Sequence, residues 1–207
     1  MRNGSTLVED LIKIKAVQLK TDDYFLWTSG IKSPIYCDNR LTMSYPSVRN
    51  KIVDQFEILL EEKNWKPDVI AGCATAGIPH AAWLADRLNL PMVYVRDKPK
   101  GHGKENQIEG HIKKGDKVVV IEDLISTGGS SINSALALRE QGAEVIAVSS
   151  IFSYGLEKAN QGFNKNDLLF ESLADFDMLI DLLYNKQEIT ESKKEELLNW
   201  RNNLGNE

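Results

Sequence analysis

The stretch VVVIEDLISTGGSS, from Val118 to Ser131, joins an apolar run to two adjacent acids and then to a short series of hydroxyls and glycines. The apolar run predicts a buried strand that ends near Ile121, and the last residues predict a helix that starts at Ser130. In an open parallel sheet, ligands bind beyond the carboxyl ends of the strands. The stretch therefore predicts both a strand-to-helix unit and the place of a site.

The surrounding sequence repeats the same alternation of strand and helix. Apolar runs, in place of alternating apolar and polar residues, indicate parallel strands that are covered on both faces. We therefore predict an α/β fold with a doubly wound, mostly parallel sheet flanked by helices. The other strands are predicted in DVIAG (68–72), PMVYV (91–95) and EVIAVSSIF (144–152), and the helices in GIPHAAWLADRL (77–88) and SSINSALALREQG (130–142).

The length of 207 residues fits a single domain, residues 1–207, better than two domains. Within it we expect an N-terminal helix and a small hood at about 1–45, a ligand-binding core at about 67–155 and a helical tail at about 156–207. The tail carries two helical patterns, Phe176 to Tyr184 and Glu191 to Asn202.

The composition of the chain limits the kinds of molecule that the protein is expected to bind. The chain has 42% hydrophobic and 27% charged residues, as soluble globular proteins do. A formal net charge of -5 argues against a nucleic-acid surface, which needs clustered Lys and Arg. No apolar run approaches the length of a membrane helix, and the start lacks the pattern of a signal peptide. Cys37 and Cys73 lack the spacing of a zinc site or a disulfide framework. Taken together, these features of the composition predict a cytoplasmic protein that binds neither nucleic acid nor membranes.

Glu122 and Asp123 lie beside a loop that suits an anion. Small residues let the backbone approach a ligand, hydroxyls donate, and the free N–H groups at a helix start favour negative charge. The loop is neither GxGxxG nor GxxxxGK[ST], which disfavours dinucleotide and Walker-type nucleotide sites. Carboxylates accept hydrogen bonds from vicinal hydroxyls, so the combination predicts a sugar phosphate as the ligand. The alternative is a solvated strand end followed by a plain helix cap.

The whole stretch closely resembles the phosphoribosyl-pyrophosphate (PRPP) motif of the type I phosphoribosyltransferases. The resemblance implies the fold of that family. It also implies that the two acids hold the ribose hydroxyls of PRPP, with Asp123 in a catalytic role, and that the loop holds the 5′-phosphate. The implied PRPP-binding residues of this stretch are Glu122, Asp123, Leu124, Ile125, Ser126, Thr127, Gly128, Gly129 and Ser130.

The segment 95–115 is long, polar and glycine-rich, as lids and disordered loops are. Its basic residues could aim several cations at one anion, or it could be a solvated loop. Its RxxxKxHG pattern resembles the mobile catalytic loop of orotate phosphoribosyltransferases, and Arg96, Lys100 and His102 match it. The resemblance implies that these three residues bind PRPP and that Lys100 and His102 act in catalysis. It also implies a homodimer in which the loop Arg96–Lys104 serves the neighbouring subunit's site.

The turn GCATAGIPHAA, residues 72–82, resembles the family's pyrophosphate loop, in which backbone N–H groups meet the ligand. Some members carry a Lys where this chain has Ala76. The small residues also suit tight packing between a helix and a strand, and both interpretations can hold together. His80 lies among alanines and close to Trp83, and we interpret it as a packed structural residue.

The segment YFLWTSGIKSPIYCDNR, Tyr24 to Arg40, predicts two short strands joined by a turn. Its F-x-x-x-S-G-x-x-S-P-x-Y pattern resembles the orotate-specific element of the same enzymes. The resemblance implies Tyr36, Cys37 and Ser126 as orotate-binding residues. The alternative is a plain β-hairpin that covers the core.

Two positions depart from the family pattern. Some relatives have a Lys at the position of Thr28, and some have an Arg at the end of the last core strand, where this chain has Ser153 and Tyr154. The carboxylate of orotate therefore needs another donor. Lys32 is the candidate that the sequence offers.

Together the resemblances imply Mg²⁺-dependent transfer of the phosphoribosyl group from PRPP to orotate, which gives orotidine 5′-phosphate and pyrophosphate in the biosynthesis of UMP. We expect Mg²⁺ to arrive with PRPP, because this ion keeps water and substrate oxygens as ligands, and we predict no metal site built from protein side chains alone. Two alternatives stay open: a purine phosphoribosyltransferase, and a non-catalytic PRPP-sensing regulator that binds nucleic acid.

Overall fold

The computed structural model describes residues 4–26, 32–97 and 107–204. Within these ranges the helices are α1 Gly4–Lys13, α2 Pro46–Glu62, α3 Gly77–Leu88, α4 Gly129–Glu140, α5 Glu157–Lys165, α6 Phe176–Asn185 and α7 Glu191–Asn203, with a 3-10 helix at Asn39–Ser44. The strands are β1 Val17–Leu19, β2 Phe25–Leu26, β3 Lys32–Ser33, β4 Ile35–Cys37, β5 Val69–Cys73, β6 Met92–Val95, β7 Ile108–Glu109, β8 Lys117–Ile125, β9 Glu144–Ser153 and β10 Phe170–Asp175.

In the described ranges, six strands form the central sheet, in the order β10-β9-β8-β5-β6-β7. Neighbouring strands are parallel except for β6 and β7, which are antiparallel. Every residue of β5 is buried, and β8 is buried from Val118 to Glu122, as expected for strands that are covered on both faces. The predicted doubly wound, mostly parallel α/β fold is confirmed.

The side chains of β8 alternate between two apolar layers, as the two-residue period of a strand requires. Val119 and Ile121 pack in the larger layer, with buried residues of α1, α2, α3 and α6. Val118 and Val120 pack in the second layer, with buried residues of α4 and α5. Helices therefore cover both faces of the sheet, and the carboxyl ends of the strands are left for ligand-binding loops.

The N-terminal hood contains more strands than the sequence predicted. β1 pairs antiparallel with β4, and β2 pairs antiparallel with β3. The prediction placed two strands within Tyr24 to Arg40 and missed β1. The 3-10 helix follows β4, and the side chain of Asp38 caps its start by accepting a hydrogen bond from the N–H of Arg40.

Two other boundaries of the sequence prediction are wrong. β8 does not end near Ile121 but continues to Ile125, because β9 runs alongside it and pairs with it as far as Ser153. The tail at about 156–207 is not helical throughout, since β10 lies within it and pairs with β9 at the edge of the sheet. None of the helices in the described ranges combines the length and the apolar character that a membrane span needs.

Candidate active site

The order of the strands creates a switch point between β5 and β8. From β5 the chain passes through α3 to β6 on one side, and from β8 it passes through α4 to β9 on the other. β5 pairs with β8 only as far as Gly72 and Ile121, so β8 continues beyond β5 and pairs there with β9. Open α/β sheets bind ligands at such a switch point.

Glu122 and Asp123 lie on this extension of β8. Glu122 is only 6% exposed. One of its carboxylate oxygens accepts a hydrogen bond from the N–H of Asp123 at 3.0 Å, and the other accepts one from the hydroxyl of Ser130 at 3.2 Å. Asp123 is partly buried. Burial raises the pKa of both carboxyl groups. The two acids thus form a pair that can accept hydrogen bonds from the hydroxyls of a sugar.

Cys73, at the end of β5, joins this strand to α4. Its sulfur lies 3.1 Å from the hydroxyl oxygens of both Ser130 and Ser134. Burial raises the pKa of Cys73 to about 12, so the thiol is neutral. The contacts from Cys73 through Ser130 to Glu122 hold the first turn of α4 against the acids. Sequence reasoning gave Cys73 no role, because a single cysteine has no spacing pattern.

The loop after β8 presents main-chain donors to the same space. Gly128 is the N-cap of α4 and has a φ of +78°, a conformation that suits glycine. Its oxygen accepts a hydrogen bond from the hydroxyl of Ser131 at 3.1 Å. In the described part of the chain, the N–H groups from Thr127 to Ser130 have no acceptor. They lie at the positive end of the α4 dipole, so the loop is suited to bind an anion.

All nine PRPP-binding residues implied for this stretch, Glu122 to Ser130, lie on one strand-to-helix connection. Leu124 and Ile125 are its last strand residues, and the oxygen of Ile125 accepts a hydrogen bond from the N–H of Tyr154 at 3.0 Å. Ser126 is the first residue of the loop and is partly buried. Their contact with PRPP stays a prediction.

The turn between β5 and α3 lies next to this connection. The peptide bond between Ala74 and Thr75 is cis. The N–H groups of Thr75, Ala76 and Gly77 have no acceptor within the described ranges. A Cβ on Gly77 would stand 2.3 Å from the main-chain oxygen of Ile121, so α3 begins in direct contact with β8. The packing interpretation of this turn is confirmed, and its contact with pyrophosphate stays a prediction.

Two side chains connect the N-terminal hood to the part of the sheet that carries the acids. Asn39 is fully buried, and its amide nitrogen donates to the main-chain oxygen of Asp123 at 2.6 Å. The hydroxyl of the buried Tyr154 interacts with the main chain of Cys37. These contacts bring Cys37 and its neighbour Tyr36 close to Asp123. Sequence reasoning missed Asn39, because a polar residue after a short strand predicts an exposed turn.

The three residues predicted to bind orotate lie at this end of the sheet. Tyr36 is 39% exposed, and its ring lies 5.7 Å from that of Phe25 at an angle of 36°. Cys37 is partly buried, and burial raises its pKa. Ser126 follows β8 directly. An aromatic face, main-chain groups and a hydroxyl are therefore available to a flat ring, and their contact with orotate stays a prediction.

Arg96 follows β6 and is turned toward β7. Its guanidinium lies 3.6 Å from the carboxylate of Glu109, and its main-chain N–H donates to the oxygen of Gln107 at 2.9 Å. The structure does not bring Arg96 into contact with Glu122 or Asp123. The predicted loop residues Lys100 and His102 lie outside the described residues, as do Lys104 and Thr28.

His80 is a packed residue of α3, as predicted. Its side chain is buried, and Nε2 lies 3.2 Å from the hydroxyl oxygen of Thr42. Its ring meets the ring of Trp83 edge-on, with 5.2 Å between the centroids. Burial lowers the pKa of His80 to about 4, so the imidazole is neutral near pH 7.

The fold and this site define a type I phosphoribosyltransferase. The acids, the loop of free N–H groups and the switch point lie where a sugar phosphate would bind. Residues 46–171 match the sequence model of a protein family that is described as the phosphoribosyl transferase domain. These residues include the acids, the loop and the switch point.

Full-length relatives identify the family more closely. Orotate phosphoribosyltransferase of Oceanobacillus iheyensis is 59% identical over 198 residues, which cover 96% of this chain and 98% of the relative. The enzyme of the same name from Halalkalibacterium halodurans is 53% identical over 198 residues, with 96% and 94% covered. The crystal structure of orotate phosphoribosyltransferase from Aeropyrum pernix has a TM-score of 0.76 and 31% identity, and the match covers 89% of this chain and 99% of that one. The chain belongs to the orotate phosphoribosyltransferase family.

Proposed function

We propose that this chain transfers the phosphoribosyl group of PRPP to orotate, giving orotidine 5′-phosphate and pyrophosphate in the biosynthesis of UMP. The observation that carries the proposal is the geometry around β8, where two acids and a set of free main-chain N–H groups in the described residues adjoin one space at the switch point. This combination suits a sugar with an anionic end. Membership of the orotate phosphoribosyltransferases supports orotate as the acceptor base.

In this proposal the 5′-phosphate of PRPP lies against residues 126–130, where N–H groups and hydroxyls donate to it. The ribose hydroxyls donate to Asp123 and Glu122. The hydroxyl of Ser130 donates to Glu122 in the structure described here. A ribose hydroxyl can replace it there, which frees Ser130 to donate to the phosphate. The position of the Ser130 hydroxyl therefore supports a site in which the ribose and the 5′-phosphate bind side by side.

The residues proposed for the two sides of the breaking bond differ in kind, with carboxyl groups on one side and basic side chains on the other. As the bond between the anomeric carbon and pyrophosphate breaks, positive charge grows on the ribose and negative charge on the leaving group. Asp123 and Glu122 stabilise the first, and Arg96, Lys100 and His102 stabilise the second, so the transition state gains more than the ground state. Closure of the loop excludes water, which would otherwise attack the anomeric carbon in place of the ring nitrogen of orotate.

Mg²⁺ supplies further positive charge to the pyrophosphate when it is bound. In the described ranges, no group of three or more His, Cys, Asp or Glu side chains could hold a metal ion by itself. We expect the ion to arrive with PRPP and to keep water and substrate oxygens as its ligands. The two acids of this chain are then available to hold the ribose.

We further propose a homodimer in which the loop Arg96–Lys104 of one protomer serves the site of the other. Two observations support it. Arg96 is paired with Glu109 and does not contact the acids of its own chain. The 3-10 helix and the residue after it also expose Leu41, Met43 and Tyr45, and protein interfaces commonly bury apolar side chains of this kind.

Mixing two inactive variants tests the shared site. Asp123→Asn removes the acid, and Lys100→Ala removes the loop cation, so each homodimer should lose most of its activity. A mixed dimer contains one site with both residues intact if the loop acts across the interface. We expect subunit exchange to restore about a quarter of the wild-type activity, since about half of the dimers are mixed and each has one working site. A mixture that stays inactive while it forms mixed dimers would place the loop on its own subunit's site.

Incubation with PRPP, Mg²⁺ and orotate, followed by the loss of orotate absorbance, tests the function. We expect orotate to be consumed and pyrophosphate to be released in equal amounts. Adenine, guanine and hypoxanthine serve as competing bases in parallel reactions. Turnover of a purine without turnover of orotate would overturn the proposal.

The cytoplasmic location and the absence of nucleic-acid and membrane partners stay predictions. The net charge of -5 supports the exclusion of nucleic acid, because phosphate neutralisation requires clustered basic residues.

A further inference from the structure

Orotate differs from uracil by one carboxylate, so a site that selects orotate needs charged donors where this group lies. Tyr154 does not supply a charge, since it is buried and its hydroxyl interacts with the main chain of Cys37. Lys32, the candidate from the sequence, has an exposed residue position on β3, and its main-chain oxygen accepts a hydrogen bond from Trp200. The hood contains another cation that is better placed.

Arg40 lies in the first turn of the 3-10 helix and is held there by Asp38. Its Nε and Nη2 atoms donate to the two carboxylate oxygens of Asp38 at 2.7 and 2.8 Å. The paired hydrogen bonds fix the plane of the guanidinium group. Nη1 has no acceptor in the described part of the chain, and 64% of the side chain is exposed. The N–H groups of Nη1 are therefore available to a ligand.

Arg40 lies near residues that are proposed to bind each of the two substrates. Its neighbour Asn39 donates to the main-chain oxygen of Asp123, so Arg40 adjoins the contact between the hood and the acids. Burial raises the pKa of Asp123, and the nearby charge of Arg40 opposes this rise. Arg40 also interacts electrostatically with Tyr36. A flat ring that lies between the hood and the ribose can therefore direct a carboxylate to Arg40.

The pairing with Asp38 leaves room for a second carboxylate. A guanidinium group has five N–H donors, and the side chain of Asp38 takes two of them. Since Asp38 already fixes the group, little side-chain freedom is lost when a ligand binds. Asp38 thus preorganises the guanidinium group of Arg40 to bind an anion.

We propose that Arg40 is a specificity-determining residue that receives the carboxylate of orotate through Nη1, and that Asp38 is a positioning residue that holds the guanidinium in place. The proposal rests on orotate being the acceptor base. It predicts that Arg40 contributes to the choice of orotate over uracil and contributes little to the binding of PRPP.

Steady-state kinetics of Arg40→Gln with orotate, uracil and PRPP test this role. We expect the KM for orotate to rise about 10- to 100-fold, as the loss of charged hydrogen bonds predicts, and the preference for orotate over uracil to fall by a similar factor. The KM for PRPP should stay within about threefold. Arg40→Lys should keep part of the preference for orotate that Arg40→Gln loses. Asp38→Asn should lower the preference for orotate too, by a smaller factor than Arg40→Gln does.

Arg87→Gln is the matched control, because Arg87 makes a comparable exposed ion pair with Asp54 on α2. Its KM values should equal those of the wild type. The midpoint of thermal unfolding of Arg40→Gln should stay within about 3 °C of the wild type, since exposed ion pairs contribute little to stability.

Three results would overturn the role of Arg40. They are an unchanged preference for orotate in Arg40→Gln, an equal loss of turnover with orotate and uracil, and a loss of preference in Lys32→Gln that Arg40→Gln lacks. Failure of the proposed function gives a different result, because the wild-type chain would then not consume orotate at all.

Discussion

Asn39 and Asp123 are joined by a 2.6 Å hydrogen bond from the side-chain amide of Asn39 to the main-chain oxygen of Asp123, across 84 positions of the chain. Asn39 is fully buried, and its Oδ1 atom has no hydrogen-bond partner in the described ranges. A buried, unpaired oxygen lowers stability. We infer that the contact serves the geometry of the site more than stability, since it ties the hood to the strand that carries the acids.

Asn39→Ala should therefore lower kcat/KM as well as stability. The variant leaves the oxygen of Asp123 without its donor, which costs about 1–3 kcal/mol of unfolding free energy. We expect kcat/KM with orotate to fall about 10- to 100-fold, because the hood and the acids lose their fixed spacing. Steady-state kinetics and chemical denaturation measure the two effects.

Asn166→Ala is the control for this prediction. The amide of Asn166 donates to the main-chain oxygen of Gly162 at 2.8 Å, at the end of α5. Removal of this bond should lower stability by a similar amount and leave the kinetics unchanged. Wild-type kinetics in Asn39→Ala would show that the hood does not depend on Asn39 for its position.

Gly77→Ala should destabilise the fold near the acids. The new Cβ would stand 2.3 Å from the main-chain oxygen of Ile121 and 3.1 Å from the Cα of Glu122, so α3 or β8 must move. We expect a loss of about 2–4 kcal/mol of unfolding free energy, measured by chemical denaturation.

Gly129→Ala provides the matched comparison for Gly77→Ala. A Cβ on Gly129 meets nothing within 4 Å in the described part of the chain. This variant should lie within about 1 kcal/mol of the wild type. Equal stability of the two variants would contradict the direct contact between α3 and β8.

Local patterns account for what the sequence predicted well. The strand, loop and helix from Val118 onward each carry a strong signal, namely an apolar run, a glycine-rich turn and helical spacing. Strand β10 was missed because its residues, FESLAD, lie at the edge of the sheet and are only partly buried at their start, so no apolar run marks them. The end of β8 was missed because its length depends on pairing with β9.

The site was predicted less completely than the fold. The PRPP stretch is continuous in the sequence, and its nine residues therefore stay together in the structure. Asn39 and Arg40 depend on a contact between segments that are distant in the chain, which local patterns do not encode. Their neighbours Tyr36 and Cys37 were predicted only through a family resemblance.

The burial of His80 should make stability depend on pH. Its pKa is lowered to about 4 in the folded chain, against an ordinary value of about 6.5 when unfolded. Above about pH 6.5 both states are neutral and the group has no effect. Between these values the unfolded chain binds a proton that the folded chain does not, so stability falls as the pH falls, by up to about 3 kcal/mol.

His80→Gln isolates this contribution, because glutamine does not titrate. The unfolding free energy of the wild type minus that of the variant should decrease from about pH 7 to about pH 4.5. Chemical denaturation at several pH values measures it. A constant difference across the range would contradict the neutral, buried state of His80.

Cys73 should react slowly with thiol reagents in the native chain. It is buried, its pKa is raised to about 12, and only the thiolate is reactive. At about pH 8 we expect a rate at least about 100-fold below that of a free thiol. Cys37→Ser leaves Cys73 as the one remaining cysteine, and unfolding in guanidinium should restore rapid reaction. Rapid modification of this native variant would contradict the contacts of Cys73 with Ser130 and Ser134.

A crystal structure of the chain with PRPP and Mg²⁺ tests the central claim most directly, that one end of the sheet holds a sugar between acids and free N–H groups. We predict that the 5′-phosphate accepts hydrogen bonds from the N–H groups between Thr127 and Ser130, and that the ribose hydroxyls donate to Asp123 or Glu122. PRPP bound elsewhere on the protein, with residues 122–130 making no contact to it, would contradict the claim.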